Sequence, residues 1–104
     1  MGIRLNEFKL DDLKSNGLKI YEAIFSKKRN VKIDEIEYPV QKFSSGIKFV
    51  DFSGYRFIQQ NHNKKSEWGK KARQGHQIMW ILKGRRYLAR IMDGEFTDLK
   101  KEKE

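Results

Sequence analysis

Apolar residues in the first third of the chain recur every three or four positions, and from Val31 onward they recur every second position. In the segment NGLKIYEAIFSKKRN, residues 16–30, Leu18, Tyr21, Ile24 and Phe25 hold helical spacing. Lys27, Lys28 and Arg29 fall where the negative end of a helix dipole favours cations. Asn16 is the expected cap, with Gly17 just inside. The preceding NEFKLDDLK adds a short turn capped by Asn6, in which Phe8 and Leu13 require burial.

After the helix the pattern is that of strands. Val31 and Ile33 alternate with charged residues, as do Ile36, Tyr38 and Val40 beyond an Asp34-Glu35 corner, and Pro39 points to an edge strand or a bulge. Residues 47–52 and 55–59 are rich in branched and aromatic side chains, and the Ser53-Gly54 pair between them is a hairpin signal. A polar break at residues 60–65 leads into a short helix, with Ser66 as N-cap and Gly75 as the residue that ends it. Gly69 inside this helix lowers its stability by about 1 kcal/mol relative to Ala. The remainder predicts a meander: strand 76–82, a turn at Lys83-Gly84, strand 87–92, a turn at Asp93-Gly94 and a last strand over 95–98.

These elements predict an α+β fold. A strongly bent antiparallel sheet or partly open barrel of about six to seven short strands carries an N-terminal helix and a short helix inserted before the last three strands. The 104 residues form a single domain, 1–104, whose charged end 99–104 is expected to fray. A chain of this length buries somewhat under ~70% of its unfolded surface and does not depend on a metal or disulfide to fold. It contains no Cys, which excludes a disulfide framework, a Cys-type zinc site and a thiol nucleophile. The first residues hold no apolar run that could serve as a leader or a membrane span, so a cytoplasmic protein with no membrane partner is expected.

Strand alternation assigns faces. Ile78, Trp80 and Leu82 share one side of their strand against Met79 and Ile81. On the next strand Tyr87, Ala89 and Ile91 are set against Arg86, Leu88, Arg90 and Met92. On the short helix Trp68 and Ala72 point inward, leaving Lys70, Lys71 and Arg73 outward.

Charge gives this picture a direction. There are 23 Lys and Arg against 14 Asp and Glu, a formal net charge of +9, which favours a polyanionic partner. Residues 61–96 hold nine of these cations together with both Trp and both His. Nucleic-acid binding requires cations to neutralise phosphates and planar groups to stack on bases. Lys64, Lys65, Lys70, Lys71, Arg73, Lys83, Arg85, Arg86 and Arg90 supply the first, and Tyr87 or Trp80 the second. The leading expectation is a protein that binds DNA or RNA mainly through the phosphate backbone, with limited sequence preference. The same charge would also suit an adaptor or inhibitor that docks an acidic protein.

Enzymatic readings reduce to a small nuclease. Asp51, Glu67 and Lys70 are residue types that metal-dependent phosphodiester cleavage uses. Metal-free cleavage would draw on His62 or His76 with Arg86 and Tyr87. The two histidines are fourteen residues apart with no ligand-type neighbour at metal spacing. The expectation is therefore no metal and no cofactor, and a binding protein ahead of an enzyme, with a small nuclease kept as the one enzymatic alternative. There is no phosphate-binding Gly loop, Ser-centred elbow or dinucleotide fingerprint.

Overall fold

The computed structural model describes residues 10–59 and 67–99. Helix α1 (Leu10–Phe25) leads into the hairpin β1 (Asn30–Ile33) and β2 (Ile36–Pro39). The chain continues through β3 (Gln41–Lys42), β4 (Lys48–Phe52), β5 (Tyr55–Gln59), α2 (Glu67–Arg73), β6 (Ile78–Lys83), β7 (Arg86–Met92) and β8 (Glu95–Leu99). β1 and β2 form their own two-stranded sheet, and β3 to β8 form a six-stranded antiparallel sheet in chain order. The fold is α+β as the pattern predicts. The larger sheet is not closed, with β3 and β8 as its two edges.

α1 runs through both residues expected to start it. Asn16 and Gly17 lie in its interior because Gly17 is where the helix meets the sheet. A Cβ there would stand 3.3 Å from Phe96 Cζ and 3.4 Å from Ile81 Cδ1. The buried stripe is Leu13, Gly17, Ile20, Tyr21 and Ile24, while Leu18, expected inside, is 39% exposed. The helix closes with Lys27 in the left-handed region (φ 61°). There Lys27 N–H donates to Ile24 O, and Lys28 N–H reaches back to Ala23 O at 3.0 Å, which satisfies carbonyls the helix leaves open. α2 ends the same way at Gly75 (φ 106°), with His76 N–H on Lys71 O.

The core lies between α1, the β1–β2 hairpin and one face of the large sheet. Ile20, Ile24, Ile33, Val50, Phe57, Met79, Ile81 and Ile91 are all essentially inaccessible. Tyr38 on the hairpin meets Phe52 edge-on at 4.9 Å and closes that flank.

Two register details differ from simple alternation. The turn between β6 and β7 is Gly84-Arg85, one residue later than the pattern suggests, because Lys83 pairs with Arg86. A bulge between Ile81 and Leu82 then puts Leu88, Ala89 and Ile91 in the core and turns Tyr87 to the opposite face, beside Trp80.

Candidate nucleic-acid interface

The sheet face opposite α1 carries the row Phe49, Ile58, Trp80, Arg90, in cross-strand register on β4, β5, β6 and β7. Trp68 from α2 lies over this row. The Arg90 guanidinium carbon is 3.9 Å from the Trp68 ring centroid, 4.8 Å from Tyr87 and 5.2 Å from Trp80. A planar, weakly hydrated cation among ring faces is stabilised by their quadrupoles, which is why Arg90 is tolerated at 7% exposure. Trp80 Nε1 is also buried here and has no hydrogen-bond partner among the described residues. Arg90, grouped by sequence with the phosphate-binding cations, is thus the seat of α2 and is covered by it.

That seat fixes where the α2 cations stand. Lys70 and Arg73 are exposed, and Lys71 is half-buried with its ammonium 4.9 Å over the Trp68 ring. At the far end of the β6–β7 hairpin Arg85 and Arg86 are exposed. Alternation places Arg86 with Arg90, but the bulge separates them: Arg86 pairs with Lys83, and Lys83 sits over the Tyr55 ring at 5.5 Å, at the end of the α1 face. The basic residues therefore bracket the β6–β7 hairpin from two sides, with Tyr87 half-buried between them. Lys64 and Lys65 lie outside the described residues.

From Lys70 to Met92 the sequence has seven Lys and Arg and no Asp or Glu. Asp98 stands opposite Arg90 in the β7–β8 register, and two other carboxylates of the sheet are already engaged. Asp51 takes two bonds from Arg56, Nε to Oδ1 at 2.6 Å and Nη2 to Oδ2 at 2.9 Å, and this contact raises the Arg56 pKa. Asp93 accepts from Gln77 N–H at 3.0 Å and meets His76 Nδ1 at 2.7 Å, and these bonds hold its carboxyl below the usual carboxylate range. Sequence reasoning missed the Asp51–Arg56 pair. Its signal was present, since in a hairpin with a two-residue Ser53-Gly54 turn these positions face each other.

Of the nuclease constellations, the one that pairs His76 with Arg86 does not assemble. His76 precedes β6 and Arg86 pairs with its last residue, seven positions on, which at ~3.3 Å per residue is more than ~20 Å. Asp51 is held by Arg56, and no group of three or more His, Asp or Glu capable of holding a metal occurs among the described residues. His62 lies outside them. No helix among the described residues is long and apolar enough to cross a membrane. No known protein family, curated protein or solved structure matches the chain.

Proposed function

We propose that the protein binds nucleic acid, chiefly through its phosphates and with limited sequence preference, using the surface formed by α2 and the β6–β7 hairpin. One observation carries the reading. The Trp68–Arg90 stack holds Lys70, Lys71 and Arg73 against the β6–β7 hairpin, whose far end carries Lys83, Arg85 and Arg86, and the sequence has no carboxylate from residue 70 to residue 92. Such a run of cations attracts a polyanion, and each phosphate it neutralises releases a counterion.

The test is binding of labelled DNA and RNA oligonucleotides across a salt series, for the wild type and for the Lys70→Ala/Lys71→Ala/Arg73→Ala variant. The wild type binds with a log–log slope of several units. The variant binds more weakly and its slope is flatter by roughly 2 to 3, following ~0.7–0.9 per phosphate contact. An unchanged slope in the variant removes α2 from the interface, and no binding at low salt overturns the reading. If an acidic protein were the partner instead, the oligonucleotides would fail while an acidic polypeptide bound.

A further inference from the structure

The part of the outer sheet face that α2 leaves open is not basic but planar. Phe43, in the turn before β4, stacks on Phe49 with ring centroids 4.3 Å apart and planes 25° from parallel. The Arg56 guanidinium lies over Phe49 at 4.6 Å and stands 5.8 Å from the Phe43 centroid. One edge of that guanidinium, Nε and Nη2, is occupied by the two oxygens of Asp51, so the ion pair forms one unit whose charge is internally balanced. Arg56 and Asp51 side chains are 43% and 46% exposed and Phe43 is 37% exposed, whereas Phe49 beneath them is 7% exposed. The surface that solvent meets is therefore a ring and a guanidinium–carboxylate pair supported from below by a second ring.

We infer that this cluster is a stacking platform for the bases of single-stranded nucleic acid, and that the protein's ligand is a single strand rather than a duplex. The inference rests on the phosphate-binding reading above and specifies its ligand. A neutralised guanidinium adds little attraction for phosphate but keeps its planar face, and Arg planes and aromatic rings are the groups on which unstacked bases settle. The position agrees. Phe49 and Arg90 belong to one cross-strand row, three strand spacings or about 14 Å apart, so the platform and the α2 cations share a face. A strand whose phosphates lie along α2 can turn its bases toward Phe43. A duplex hides its base faces and gains nothing from the platform, and an apolar protein partner would leave the adjoining α2 cations without a complement.

The experiment compares three probes of equal phosphate number with the full chain: a 10-nucleotide single strand containing 2-aminopurine, the same strand with abasic residues, and a duplex. The base-bearing strand is expected to bind about tenfold or more tighter than the abasic strand, within the ~5- to 150-fold that stacking one base supplies. Its 2-aminopurine fluorescence should be quenched on binding. Phe43→Ala brings the two single strands within about twofold and abolishes the quenching at an unchanged salt slope, while Phe43→Tyr, which keeps a ring, retains the preference. Circular dichroism confirms that both variants remain folded. Equal affinity of wild type for base-bearing and abasic strands, or a preference that survives Phe43→Ala, overturns the platform and leaves the phosphate reading standing. Failure of all three probes to bind overturns both.

Discussion

The Arg90 guanidinium lies 3.9 Å from the Trp68 ring centroid, closer than any other cation to a ring among the described residues. The contact joins β7 to a helix of only seven residues, far too short to be stable by its own hydrogen bonds. α2 is a helix because the sheet holds it there.

Loss of either partner should therefore release α2. Trp68→Ala is expected to destabilise the protein by about 2 kcal/mol, less than for a fully buried Trp because the ring is half-exposed. Arg90→Lys, which keeps the charge and loses the plane, should cost about 1 kcal/mol. Urea denaturation of the two single variants and the double variant measures this. Strictly additive losses would show that the stack contributes nothing of its own.

Gly17→Ala tests how closely α1 approaches the sheet. In an exposed helix the change would stabilise by about 1 kcal/mol. Here the new methyl group stands 3.3 Å from Phe96 Cζ and 3.4 Å from Ile81 Cδ1, so that gain should be absent, and Gly17→Val should destabilise by about 2 kcal/mol. Thermal melts of both variants decide it. A full 1 kcal/mol gain for Ala would mean that Phe96 yields freely.

The β1–β2 turn is built from two residues that strain it. Asp34 and Glu35 both lie in the left-handed region, at φ 51° and 70°, a conformation glycine adopts without penalty. Both are exposed, so nothing but the backbone should respond to Glu35→Gly. A gain of about 1 kcal/mol in denaturant stability is expected. A loss would show that the Glu35 side chain contributes more than its backbone costs.

Acid should weaken the junction between β6 and the β7–β8 turn. Hydrogen bonds from Gln77 N–H and then from His76 hold the Asp93 pKa below its ordinary 3.8. A carboxyl depressed in the folded state stabilises the fold above the unfolded pKa, and this contribution disappears as pH falls through the folded value. Asp93→Asn keeps a residue that tolerates φ 53° and removes the charge. Melting temperatures of wild type and variant should differ near pH 5 and converge below pH 3. Parallel curves throughout would assign the acid sensitivity to other groups.

Much of the fold is legible because turn chemistry and alternation agree. Ser53-Gly54 and Asp93-Gly94 join paired strands as two-residue loops with φ positive at both positions, the form those residue pairs favour. What misleads is tertiary. Gly17 reads as a helix start because nothing local shows Phe96 and Ile81 pressing on it. Arg90 reads as a surface cation because only the fold brings Trp68, Trp80 and Tyr87 around it. Arg86 and Arg90 read as neighbours on one face until a single bulge parts them, and β3, two residues long, carries no periodicity at all. The Phe43–Phe49–Arg56 cluster is illegible for the same reason, since its members come from three separate segments.

Because the six strands of the large sheet stand in chain order, every one of its pairings is with the strand just made or the strand to come. Three of its five connections are two-residue turns, β3 and β4 are joined by residues 43–47, and the longest passage, from Gln59 to Ile78, contains α2. The early ordering of the chain is therefore local. β4–β5 and β6–β7–β8 can each zip as independent hairpin units on the microsecond scale of such events. The slower step is their docking edge to edge beneath α1, a late collision of two preassembled halves rather than a search for distant strands.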